Sequence, residues 1–121
     1  MLNKVQLIGW LGQAPELRAT NEGTPVCNLS LATTETWKDQ TGTSQKRTEW
    51  HRIVLWRRLA EIAGAYLKKG SQIYIEGKIQ SREYEDPSNP GTKRKAYEII
   101  ATELKMLDKT QNAQQPSNDS K

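Results

Sequence analysis

Apolar and polar positions alternate with period two along most of this chain, and with a helical period over one short stretch. Residues 3–11, NKVQLIGWL, place Val5, Leu7 and Leu11 on one face, the repeat of a half-buried strand. Gly9 shares that face and marks a bulge or a tight barrel bend. Pro15 and the run N-E-G-T-P at 21–25 signal turns. Residues 26–37, VCNLSLATTETW, alternate again, with Cys27, Leu29 and Leu31 set against Asn28, Ser30 and Ala32. KDQTGTSQK is polar with one glycine and reads as a hairpin arm. RTEWHRIVLW at 47–56 is a third strand. RRLAEIAGAYLKKG then carries Leu59, Ile62, Ala63, Tyr66 and Leu67 at helical spacing, with Lys68 and Lys69 in the last turn and Gly70 as cap. SQIYIEGKIQSREYE is a fourth strand with Ile73, Ile75 and Ile79 facing the core. EDPSNPGTKRK is a second hairpin loop, and KAYEIIATELKML is the last strand.

The order β-β-β-α-β-β predicts an all-β protein: an OB-fold, a five-stranded Greek-key barrel with one helix between strands three and four. One domain over residues 1–107 suits the length of 121 residues. Residues 108–121, DKTQNAQQPSNDSK, are polar and aperiodic and are expected to form a disordered tail. Barrels of this kind bind oligonucleotides or sugars, so function has to be read from the faces.

Strand side chains alternate between faces. In the third strand Glu49, His51, Ile53 and Leu55 share one side, and Trp50, Arg52, Val54 and Trp56 share the other. Ile53 and Leu55 mark the core, so both tryptophans are expected to point outward around an arginine. In the fourth strand Tyr74, Glu76, Lys78, Gln80, Arg82 and Tyr84 form the outer side. Nucleobases of a single strand stack on such aromatics, at roughly 1–3 kcal/mol per base, while Arg and Lys neutralise phosphates. Neither contact reads base edges. The structural alternative is that the tryptophans pack against another subunit or a loop. Parity turns Trp37 inward with Leu29 and Leu31, and a bulge or a projecting hairpin is needed for it to reach a ligand. Trp10 lies on the outer side of the first strand together with Ile8, which suits an interface as well.

Charge narrows the picture. The net charge is +4, and residues 38–58 hold six basic residues against two acidic ones, which accounts for the whole surplus. A concentrated basic stretch points to an anionic partner. One cysteine, Cys27, allows no internal disulfide, and one histidine, His51, leaves little for a metal site. Without paired carboxylates or a nucleophile constellation, no enzyme activity, metal or cofactor is expected. No apolar run approaches the roughly 20 residues that span a bilayer. MLNKVQLIGWLGQAPE reads as a strand and not as a secretory signal.

TEWHRIVLW, LAEIAGAYLKKGSQIYIEGKI, NLSLATTETWKD and NKVQLIGWLGQAPELR together make the chain resemble the bacterial-type single-stranded DNA-binding protein family over residues 3 to about 107. The resemblance implies an OB-fold homotetramer that wraps single-stranded DNA in replication, recombination and repair, in the cytoplasm at the bacterial nucleoid, with mitochondrial members as the other setting. It places stacking aromatics at Trp37, Trp50, Trp56 and Tyr84, basic contacts at Arg52, Arg58, Lys69 and Arg82, and an oligomer-interface residue at His51. Trp56 stands where Phe is common, and Tyr84 where Trp is frequent. Three further departures are Ala14 for Asp, Arg57 for Gly and Glu83 for a basic residue. The family's acidic, Phe-bearing tip, which recruits repair and replication enzymes, has no counterpart in QQPSNDSK: either the sequence is truncated or this member lacks that recruitment, which leaves those partners in doubt. An oligomeric adaptor of the primosome accessory type, and binding of single-stranded RNA, stay open as other readings.

Overall fold

The computed structural model describes residues 1–107. The expected tail, 108–121, lies outside the described residues. Six strands and one helix follow in the order β1 (Val5–Leu11), β2 (Glu16–Ala19), β3 (Pro25–Lys38), β4 (Ser44–Trp56), α1 (Arg58–Tyr66), β5 (Gln72–Glu85) and β6 (Lys93–Met106). Their sheet order is β1-β5-β6-β4-β3-β2, and β1 also pairs with β3. That extra pairing closes β1, β5, β6, β4 and β3 into a five-stranded barrel. All of these pairs are antiparallel except β4 with β6. The expected OB-fold is what forms.

Closure brings backbones close together, and Gly9 is where this occurs between β1 and β3. A Cβ at residue 9 would stand 2.2 Å from the carbonyl oxygen of Ala32, a backbone atom that has nowhere to go. On the other side of the barrel β6 carries one extra residue: Glu76 opposes Glu103, but Gly77 opposes Ala101. Thr102 is the residue left over, and its hydroxyl donates to the carbonyl of Glu76 at 3.1 Å. The bulge bends the sheet where it must curve.

The core is the inward row of each strand. Cys27, Leu31, Ile53, Leu55, Ile73 and Ile75 are all fully buried, with Leu11, Leu29, Ile99 and Ala101 around them. Each large aliphatic side chain so buried contributes roughly 1.5–3 kcal/mol. The helix α1 packs Ala60 and Ala63 against this core. Burial also raises the Cys27 thiol above its ordinary pKa.

Several expectations require correction. The stretch after Pro15 is a short strand, β2, on the outer edge of β3; four residues are too few to display a period. The helix stops at Tyr66, with Leu67 as its C-terminal cap. Lys68, Lys69 and Gly70 belong to a separate turn, in which Ser71 N–H donates to Lys68 O. Tyr66 is exposed, while Leu67 is buried. Ile79 is also exposed, although it opposes buried Ile99. Its parity is that of the core, but β5 has by then run past its pairing with β1, which ends at Gly77. Val54, on the outer row, is buried.

Candidate nucleic-acid interface

The outer surface of β1, β2, β3 and β4 can be laid out row by row from the register. Trp10 opposes Ala32, which opposes Trp50. Gly12 N–H donates to Ser30 O, and Ser30 opposes Arg52. Glu16 opposes Asn28, which opposes Val54; Arg18 opposes Val26, which opposes Trp56. The middle residues, on β3, are small or short. They leave a trough whose walls are indoles and guanidiniums.

Trp50 and Trp56 are 57% and 42% exposed, large values for indoles on a strand whose other face holds Ile53 and Leu55 at zero. Parity therefore predicted both correctly. The ring of Trp50 leans across β3 until Cζ3 and Cη2 lie 2.5 and 2.6 Å from where a Cβ at residue 12 would be. Glycine at 12 is what allows that position. Beneath this ring a cleft of about 280 Å³ is lined by Gln13, Glu16, Asn28, Ser30, Trp50 and Arg52, among others. A second, of about 410 Å³, brings together Arg18, Arg52, Trp56, Arg82 and Glu98.

Arg52 and Arg82 come from different strands and meet at one carboxylate. Glu98 on β6 receives the Nε of Arg82 at 3.5 Å and lies 3.9 Å from the Nε of Arg52. Its side chain is only 12% exposed, whereas the two arginines stay about half exposed. The guanidinium of Arg82 in turn lies 5.9 Å from the centroid of the Tyr84 ring, within cation–π range. Arg52, Glu98, Arg82 and Tyr84 thus form a continuous polar line along the outer face.

Other expected site residues fall elsewhere. Trp37 is exposed and sits near the tip of the β3–β4 arm, opposite Gln45. The arm pairs without a bulge from Val26–Trp56 to Lys38–Ser44, so projection alone carries Trp37 into the open. Its register places it on the face of Glu35, Arg47 and His51, opposite to Trp50. Asp39 ties the arm's turn: its carboxylate accepts from the Thr41 and Thr43 amides, the Thr41 hydroxyl and Gln45 Nε2. These bonds, led by the Thr41 hydroxyl, draw its pKa down to about 2. Arg58 opens α1, and Lys69 lies in the following turn. Neither lines the two clefts. His51 is half-buried and shares a 2.9 Å hydrogen bond with Thr33 Oγ1, on the face away from Trp50.

Arg18, Gly12 and Glu98 belong to this surface without a local signal in the sequence. Arg18 was hidden because β2 went unrecognised. Gly12 falls outside every periodic segment of the sequence. Glu98 meets Arg52 only through the pairing of β4 with β6, which no local pattern encodes. Arg57, standing where the resembling family commonly has glycine, adopts φ 58° and ψ −120°, a backbone region that favours glycine. No group of three or more His, Cys, Asp or Glu capable of holding a metal occurs among the described residues, and no helix among them is long and apolar enough to cross a membrane.

The sequence matches the single-strand binding protein family over residues 2–107. It is 57% identical over 106 residues to a single-stranded DNA-binding protein of Neisseria meningitidis, covering 88% of this chain and 60% of that protein. It is 51% identical over 118 residues to single-stranded DNA-binding protein 1 of Xylella fastidiosa, covering 97% of this chain and 85% of the relative. Among solved structures it resembles the Plasmodium falciparum SSB in complex with ssDNA, with a TM-score of 0.78 and 34% identity over 89% of this chain and 96% of that one. It also resembles a deletion mutant of the single-stranded DNA-binding protein from Thermus aquaticus, with a TM-score of 0.75 and 32% identity over 90% and 52% of the two chains. The chain spans about 60% of the length of the Neisseria relatives.

Proposed function

The chain belongs to the single-strand binding protein family, and from that premise we propose that it binds and shields single-stranded DNA, without catalysis and with little regard to sequence. One observation carries the reading: Trp50, Arg52 and Trp56 project from the outer face of a strand whose inner face is locked into the core. Bases stack on the two indoles, while Arg18, Arg52 and Arg82 meet the phosphates. Stacking uses π-faces that every base has, so the binding is sequence-tolerant. In a duplex those faces are already occupied, so the same surface selects unpaired strands.

The same reading includes Tyr84, reached through Arg82, and Trp37, Arg58 and Lys69 as contacts further along a wrapped strand. It includes a homotetramer, with the face of His51, Thr33 and Leu7 turned toward a neighbouring subunit; these residues line a concavity away from the indoles. Protection of unwound DNA in replication, recombination and repair, in the bacterial cytoplasm, is the role this supports.

The test is titration with oligo-dT. Tryptophan emission should quench, and affinity should fall as salt rises, since phosphate neutralisation releases counterions. Absence of quenching and of binding at low salt defeats the proposal. Trp50→Ala and Trp56→Ala should weaken binding and leave the assembly mass unchanged. Competition between matched DNA and RNA strands distinguishes the two polymers.

A further inference from the structure

Resting on the binding proposed above, we propose that Trp10 is a further stacking residue, one that extends the path of the single strand from Trp50 onto β1. Trp10 is 52% exposed, nearly as much as Trp50. It stands on the same outer face, since Trp10 and Trp50 are the two partners of Ala32 on either side of β3. Two strand spacings separate their backbones, about 10 Å. The Trp50 ring closes most of that gap, because its far edge ends at Gly12. Gly12 is two residues from Trp10, a step of about 6.8 Å along an extended chain. The path from the edge of the first indole to the root of the second is therefore short. Ala32, at 9% exposed, makes a low floor beneath it.

Cations accompany the second indole. The turn after α1 is fastened to the end of β1 by two backbone hydrogen bonds, Leu11 N–H to Ser71 O and Gly70 N–H to Leu11 O, each 2.9 Å. This holds the exposed Lys68 and Lys69 beside the strand that carries Trp10. An exposed indole and exposed lysines carried on adjoining backbone fit a base and its phosphate. The occupant is therefore a nucleotide of the bound strand, and Lys69 takes its part in the interface here and not at the Trp50–Trp56 clefts.

A full-length variant with Trp37, Trp50 and Trp56 replaced by Phe leaves Trp10 as the sole indole. Its emission should quench as oligo-dT binds, with binding followed independently by gel shift. In the otherwise unaltered chain, Trp10→Ala should weaken oligo-dT binding by about 5- to 150-fold, the range that one stacking contact of roughly 1–3 kcal/mol implies. Trp10→Phe should restore most of it, with the sedimentation mass of the assembly unchanged in both. The inference is overturned if the sole-indole variant binds without quenching, or if Trp10→Ala binds like the unaltered chain. It is equally overturned if Trp10→Ala loses affinity only because the assembly dissociates, which would make Trp10 a subunit contact. Failure of the unaltered chain to bind at low salt would instead remove the broader reading, and this one with it.

Discussion

Trp50 and Gly12 are complementary: the indole ends where a side chain at residue 12 would begin, 2.5 Å from the site of its missing Cβ. The contact is with the far edge of a side chain and not with backbone. A methyl group at 12 would therefore push the ring and leave the barrel standing. Gly12→Ala should keep its melting temperature within a few degrees and lose part of the roughly 1–3 kcal/mol that stacking on one indole provides. Oligo-dT titration beside thermal unfolding checks this. Unchanged affinity would mean that the ring's position is unimportant.

Gly9→Ala makes the opposite prediction. Its Cβ would meet the Ala32 carbonyl at 2.2 Å, in the pairing that closes the barrel. Overpacking of this kind typically costs about 1–3 kcal/mol, and more where backbone has to move. Denaturant unfolding should show the loss as a lowered midpoint.

Arg57 lies at φ 58°, ψ −120° and caps α1 without any side-chain hydrogen bond. A non-glycine residue in such a region is strained by about 1–3 kcal/mol. Arg57→Gly should relieve part of that and raise the melting temperature by several degrees, despite the added freedom of the unfolded chain. Arg57→Ala removes the charge but keeps the Cβ and the strain, so it should not stabilise. Calorimetry on the two variants separates backbone from charge.

Glu98 holds Arg52 and Arg82 and at the same time offsets one of their two charges. The pairs are half-exposed, so their contribution to folding is small. On the binding face the carboxylate repels phosphate. Glu98→Gln should bind oligo-dT several-fold more tightly at low salt, with a salt dependence steeper by up to about 0.7 in log–log slope, the single-strand value for one more neutralised phosphate. Weaker binding would mean that aligning the guanidiniums outweighs the charge.

Asp39 gives the arm a pH dependence of known sign. Its carboxyl is drawn from the ordinary 3.8 down to about 2 by hydrogen bonds that only the ionised form accepts fully. The turn is therefore held in full above about pH 4 and loosens as pH falls through about 2. The amide resonances of Thr41 and Thr43 should titrate with that midpoint in the native chain and lose it in Asp39→Asn. A midpoint near 3.8 would show that the turn gives the carboxylate no advantage.

Much of this was legible one residue at a time. The alternation of Trp50, Ile53, Leu55 and Trp56 assigns inner and outer faces because side chains on a strand alternate wherever the strand lies. The same parity separates Cys27, Leu29 and Leu31 from their neighbours. Hydrophobic spacing located α1, though not its end, because Lys68 and Lys69 are compatible with either a last turn or a loop. What alternation could not supply is how far a strand stays on the barrel. Ile79 keeps core parity and is exposed nonetheless.

The sequence by itself determined five of the six strands and the helix in their order along the chain, most of the inward row, and the outward indoles Trp50 and Trp56, since these follow from local periodicity and the burial of apolar side chains. Only the tertiary structure decided which outward residues meet. Arg52 and Arg82 converge on Glu98 through the pairing of β6 with both β4 and β5. Trp10 joins the row of Trp50 because β1 closes onto β3, and Arg18 joins that of Trp56 because β2 adds to the same strand. Those pairings link residues 16 to 46 positions apart and are set by the curvature and closure of the sheet, which no short window of sequence contains.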